Sequence, residues 1–299
     1  MKKNKFIITM IFFIFFIILW MNTTSSLNFE IVEKQYLDNY YGNILYVGGT
    51  GLNNYSTIQS AINDTNPGDT VFVYEESSPY YENLKISKSI FLKGEDKNTT
   101  IIDGSGKKEV IFIFAENIEI RGFSVRNSSI SGIGILIYSH ANYVKIVGNI
   151  IKENYLGIFL YNPGFHLKII QDEFLGPNEN YLVKNYIINN TIGISLRGSN
   201  DNLIKSNWVE NNDYGITITR DDYPTAPPSW GNRITKNVFI GNNKNAYDEC
   251  NNRWISNYWD DWIGLKYKIF RFFPYRIPGT FRFLVNFDWF PAKEPITFE

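Results

Sequence analysis

The sequence predicts an all-β solenoid, a parallel β-helix of about 22 residues per coil, on three observations. Four segments superimpose residue for residue: Ile146 to Leu160, Leu182 to Leu196, Ile204 to Ile218 and Ile234 to Asp248. They share the template apolar-x-x-Asn-x-apolar-x-x-Asn-x-x-Gly-Ile-x-apolar, the last copy carrying Asn245 at the Gly position. The first Asn recurs at Asn149, Asn185, Asn207, Asn237 and Asn257, in steps of 36, 22, 30 and 20 residues, so two of the units carry insertions. Each unit holds three short alternating runs closed by Asn or Gly, too few residues for a helical hairpin and too strand-like for one.

The elements follow in order. Tyr55-Ser-Thr57-Ile-Gln-Ser-Ala61-Ile-Asn63 offers a hydroxyl N-cap and apolar residues at helical spacing, then Asn66-Pro-Gly-Asp69 turns the chain and Thr70 to Val73 reads as a strand. This short helix caps the open end of the stack, where unpaired backbone would invite association. The stretch from Tyr81 to Gly104 reads as the first coils, and Ile118 to Ile137 as a partial copy of the repeat. Within a coil, alternation points Ile204, Val209, Ile216 and Ile218 inward. Asn suits the corners because it tolerates left-handed backbone and its amide both donates and accepts along a stack. Gly157, Gly193 and Gly215 take a corner too tight for a side chain. The aromatic and Pro-rich tail, residues 263–299, closes the other end; it also has the apolar residues to cover an outward row of Ile150, Tyr186, Trp208, Val238 and Tyr258.

The 29 basic and 30 acidic residues nearly cancel, which argues against a nucleic-acid partner. Lys2, Lys3 and Lys5 precede a predominantly apolar run from Phe6 to Met21, the order of an export signal. Sixteen residues span about 24 Å as a helix against a hydrocarbon core of roughly 30 Å. Residues 1–21 are therefore read as a signal peptide or signal anchor, 22–43 as a linker and 44–262 as the solenoid, exported to the cell surface or extracellular space and tethered through residues 6–21.

The string Ile58-Gln-Ser-Ala-Ile62, Pro67-Gly-Asp-Thr-Val-Phe-Val73, Tyr81-Glu-Asn83, Leu92-Lys-Gly94 and Thr100-Ile-Ile-Asp-Gly104 resembles the opening of the pectin-lyase-like superfamily. Within it the chain is most similar to NosD-type repeat proteins, and Asn257-Tyr-Trp-Asp-Asp261 with Phe287-Asp-Trp-Phe-Pro291 resembles the tail of archaeal surface members. The resemblance covers about residues 44 to 295 and implies a right-handed coil, which spacing does not reveal.

Both insertions, about 162–180 and 220–231, fall at one phase of the coil and flank an uninserted coil with Ser195 and Arg197. Such insertions form the walls of a groove lined by Phe159, Tyr161, His166, Arg197, Thr219, Arg220, Tyr223 and Trp230, a mixture that suits an oligosaccharide. Asp172, Glu173, Arg197, Asp221 and Asp222 are the candidate catalytic groups, although the motif sets of polygalacturonases are absent. A calcium site built from Asp172, Glu173, Asp221 and Asp222 would resemble that of pectate lyases, but the sequence shows no fixed ligand spacing. The NosD resemblance implies copper, yet two histidines, one cysteine and Met1, Met10 and Met21 make no ligand set for it. The expected role is a cell-surface binding or structural module whose partners are glycans or envelope proteins, with no cofactor; the alternative is a polysaccharide lyase or hydrolase working in the groove.

Overall fold

The computed structural model describes residues 42–163, 176–220, 228–266, 273–279 and 285–297. They wind into a right-handed parallel β-helix with three sheets. The first sheet has eleven strands, opening with Ile44–Val47 and closing with Phe287–Asp288 and Tyr275–Arg276; the second has eight, from Tyr80–Tyr81 to Tyr258–Trp259. The third has seven, from Leu84–Ile86 to Lys244–Asp248. Among the described strands every pairing is parallel except that of Tyr275–Arg276 with Phe287–Asp288.

Alternation turns one face of each short strand inward, and the next coil repeats it in register. Leu92, Ile120, Ile146, Leu182, Ile204 and Ile234 form one fully buried column under the first sheet, and Ile102, Val125, Ile151, Ile187 and Val209 a second. The pairs Ile158/Leu160, Ile194/Leu196 and Ile216/Ile218 build the third. Each such side chain contributes roughly 1.5–3 kcal/mol by leaving water. Toward the far end the aliphatics give way to Phe239, Trp254 and Trp259, and Phe239 stacks on Trp259 at 4.5 Å.

Asparagines lock all three corners. Between the first and second sheets run Asn149, Asn185, Asn207, Asn237 and Asn257; between the second and third, Asn154, Asn190, Asn212 and Asn242. In each rung Oδ1 accepts both from the preceding Asn: Asn207 Oδ1 receives Asn185 N–H at 3.0 Å and Asn185 Nδ2 at 3.0 Å, while Asn207 Nδ2 donates back to the Leu182 carbonyl at 2.8 Å. A third ladder, Asn180, Asn202, Asn232 and Asn252, stands at the remaining corner and lies outside the repeat template. Its sequence signal is an Asn two residues ahead of Leu182, Ile204, Ile234 and Trp254.

The left-handed backbone expected at the ladder asparagines belongs instead to the residue before each of them. Gly148, Lys184, Ser206, Lys236 and Ser256 have φ of 63, 55, 56, 55 and 59°. This kink turns the following Asn side chain inward, where its amide can span two coils; at the second corner asparagine also takes the left-handed position itself, Asn189 with φ of 56° and Asn211 with φ of 54°. The glycine corner is as expected: a Cβ on Gly193 would stand 2.6 Å from the Gly215 carbonyl oxygen, and one on Gly157 2.5 Å from that of Gly193.

Both ends of the stack are closed. A helix from Ile58 to Asp64 buries Ile58, Ala61 and Ile62; Thr57 Oγ1 accepts from Ser60 N–H, and the Glu82 carboxylate takes the N–H groups of Ile58 and Gln59 at 2.8 and 2.9 Å. At the far end the tail forms part of another coil: Asp288 pairs beside Trp254, Ala292 N–H donates to the Asn257 carbonyl, and Asp248 N–H donates to the Pro278 carbonyl. The described tail thus seals the end of the stack and does not run back along the outer row of the second sheet, where Tyr186 and Trp208 remain half-buried. Among the described residues no helix is long and apolar enough to cross a membrane, and the Phe6–Met21 run lies outside them.

Candidate functional site

The outward face of the third sheet carries the candidate site, because its strands from Glu109–Ile113 to Lys244–Asp248, five or six residues long, leave two residues facing out. In register across the coils, one row reads Leu136, Phe159, Ser195, Thr217 and Tyr247, the other Tyr138, Tyr161, Arg197 and Thr219. The upstream half is aromatic: Phe112 meets Tyr138 edge to face at 5.6 Å, Tyr138 meets Tyr161 at 6.0 Å, and Phe159 stacks on Tyr161 at 4.9 Å with planes 16° apart. The downstream half is polar. Thr217 Oγ1 donates to Ser195 Oγ at 3.2 Å, and Tyr247 donates to Glu249 at 2.7 Å, a bond that raises the phenol pKa with burial adding to it.

Arg197 stands where the two halves meet. It forms no ion pair with a described carboxylate, and its Nε and the Oγ1 of Thr219, its in-register neighbour, are buried without a hydrogen-bond partner. Groups left in this way cost roughly 1–3 kcal/mol each. Sequence reasoning placed Phe159, Tyr161, Ser195, Arg197 and Thr219 together, and the register brings them onto one face. It missed Phe112, Tyr138 and Thr217, although the alternating Ile216-Thr-Ile-Thr219 already marks Thr217 as outward.

The other candidates fall elsewhere. His166, Asp172 and Glu173 of the first insertion, and Asp221, Asp222 and Tyr223 of the second, lie outside the described residues. Trp230 stands at the corner between the third and first sheets, 47% exposed, its N–H donating to Asn200 Oδ1 at 2.7 Å. Arg220 reaches toward Cys250, whose thiol burial pushes up to about 11 while the Ser229 N–H and the arginine oppose the shift. His140 is an exposed corner residue with φ of 56°. Among the described residues no group of three or more His, Cys, Asp or Glu could hold a metal ion.

Comparison with solved structures returns matches at low identity. The chain is similar to a pectin methylesterase from carrot (13% identity, covering 76% of this chain and 81% of that one, TM-score 0.47). It is similar to a rhamnogalacturonan lyase (15% identity, 74% and 71%, TM-score 0.47) and to the pectate lyase Pel9A (15% identity, 72% and 69%, TM-score 0.43). No curated protein matches in sequence. The family model described as "Periplasmic copper-binding protein (NosD)" matches residues 21–269, most of the chain, and the protein belongs to the NosD family.

Proposed function

We propose that this chain is an exported β-helical binding module that holds a glycan along the outward face of the third sheet. One observation carries the reading: an aromatic pair, Phe159 and Tyr161, passes in register into the Ser195–Thr217 hydroxyl pair and an arginine without a described carboxylate partner. Flat rings take the apolar face of a sugar, while the hydroxyls and the guanidinium take its oxygens. Export rests on the basic and apolar N-terminus, and the periplasmic description of the family supports it. The test is a screen of the full chain against neutral and acidic oligosaccharides, with Arg197→Ala and Tyr161→Ala each weakening binding about tenfold. Absence of any saturable binding leaves only an envelope building block.

The copper in the family description does not fit these residues. Copper sites are built from imidazole, thiolate and thioether. Cys250 is fully buried in the column, with a thiol pKa pushed far from thiolate formation, and His140 sits at an exposed corner. The whole sequence adds only one further histidine, His166, and the methionines Met1, Met10 and Met21 of the leader. A lyase or hydrolase is the rival reading, and it needs two carboxylates, or a carboxylate with Arg197, converging on one bond. Its candidates are Asp172, Glu173, Asp221 and Asp222; turnover of any glycan hit that disappears in Asp221→Asn or Asp222→Asn would establish it.

A further inference from the structure

We infer that the second sheet carries a separate saccharide platform on its outward face, built from Tyr186 and Trp208 and flanked by Lys97 and Glu210. The register places Ile150, Tyr186, Trp208, Val238 and Tyr258 in one outward row, one residue per coil. Tyr186 and Trp208 stack with centroids 6.5 Å apart and planes 29° apart, and both are half-buried, with Val238 fully covered beside them.

A carboxylate accepts from the edge of the Trp208 indole, and an ammonium lies over one face of the Tyr186 ring. Trp208 Nε1 donates to Glu210 Oε2 at 2.7 Å, and the Lys97 ammonium lies 4.5 Å from the Tyr186 ring centre. Lys97 is presented by an ordered turn, in which Asp96 accepts from Asn98 N–H at 2.7 Å and Asp96 N–H donates to Thr100 Oγ1 at 3.1 Å. The ammonium forms no ion pair among the described residues. The tail, which has the residues to cover this row, is engaged at the end of the stack in its described parts.

These features select the occupant. An aliphatic partner surface would cover the rings but strip water from Lys97 and Glu210 without replacing its hydrogen bonds, which is costly for charges. A pyranose offers an apolar face to the rings and hydroxyls at its rim to the ammonium and the carboxylate. Stacking of this kind, with ring orientations set before binding, spends little conformational entropy. The platform is independent of the groove on the third sheet, because the two rows lie on different sheets.

The full chain is titrated with neutral and acidic oligosaccharides and the affinity of each hit is compared among variants. Trp208→Ala and Tyr186→Ala are expected to weaken binding about tenfold, and Trp208→Phe, which keeps a ring, by no more than about threefold. Lys97→Met is expected to weaken acidic sugars more than neutral ones. Hits that weaken with Arg197→Ala and not with Trp208→Ala or Trp208→Phe overturn the platform and leave the groove standing. Hits that weaken only with the platform variants support the platform and overturn the groove. No binding to any saccharide overturns both.

Discussion

The coils before residue 128 and those from Asn149 to Asn257 enclose the same aliphatic column yet hold their corners differently. Upstream, the corner between the first and second sheets brings two bare backbones together: a Cβ on Gly94 would meet the Gly122 carbonyl oxygen at 2.2 Å, and Phe123, fully buried, stands where later coils place a ladder asparagine. At the far edge of the second sheet, Asp103 collects Arg126 Nε, Asn127 Nδ2 and Ser105 N–H at 2.8–2.9 Å. Downstream, amide ladders replace both devices. The column is therefore the common requirement of the fold, and the corner chemistry is interchangeable so long as every buried donor and acceptor is met.

Ladders differ from the upstream corners in having a direction. Each ladder Asn donates its backbone N–H to the Oδ1 of the next rung, so the last rung presents N–H groups with no asparagine oxygen beyond it. Carboxylates supply the oxygens at all three corners. Asp288 accepts from Asn257 N–H and Nδ2 and from Trp259 Nε1; Asp248 accepts from Asn252 Nδ2, Trp254 Nε1 and Cys250 N–H; Asp260 and Asp261 accept from Asn245, itself bonded to Asn242. Asp248 occupies the position that Ile218 and Leu196 hold in the coils above, a carboxylate closing an aliphatic column.

The contrast can be broken most sharply in mid-ladder. Asn207→Ala strands Asn185 N–H, one proton of its amide and the Leu182 carbonyl, and should cost about 4 kcal/mol by denaturant unfolding, at roughly 1–3 kcal/mol per orphaned group. Next comes pH. Burial pushes the Asp248 carboxyl up to about 6 against the pull of Trp254, Cys250 and Asn252. Between the ordinary value near 3.8 and about 6 the folded chain then holds a proton that the unfolded chain has lost, so stability rises as pH falls through 6 and is lost as pH rises through it, by about 3 kcal/mol. Thermal unfolding at pH 5 and pH 7.5 should show roughly 1.4 kcal/mol of that gain, and Asp248→Asn should abolish it.

Asp103 titrates in the opposite sense. Burial raises its carboxyl, but Ser105, Asn127 and Arg126 outweigh burial and hold it below the ordinary value. Its stabilisation is complete above that value and disappears as pH falls through the lowered one, so upstream coils should be the first to loosen in acid. At the closed end, Asp288→Asn sets an NH₂ against donors that now find oxygen. About 2 kcal/mol should be lost, read as faster proteolysis after residue 273. Smallest is Phe123→Leu, where an apolar corner is only thinned, at about 1 kcal/mol; a larger loss than for Asn207→Ala would reverse the ranking of the two regions.

The repeat, the inward residues, the capping helix with its Thr57 cap and the crowded glycine corner were all legible in the sequence, because each is set by spacing along a few neighbouring residues. The third ladder was less visible, since its asparagines sit just ahead of the quoted template. The left-handed positions were displaced by one residue, because composition marks where an asparagine stands and not which of two adjacent residues turns. For the site, register predicted the company of Phe159, Tyr161 and Arg197 but not that Arg197 Nε and Thr219 Oγ1 would be buried without partners.

By itself, then, the sequence determined a coil: alternation assigns each strand an inside, and the period stacks one inside on the next. What only the tertiary structure decided lies at the ends and on the outer faces. Whether an aspartate is a surface charge or the last rung of a ladder depends on how many coils precede it. Which aromatic meets which cation depends on residues brought together from different coils, such as Lys97 and Tyr186. Both are long-range consequences of stacking, and no local window of the chain contains them.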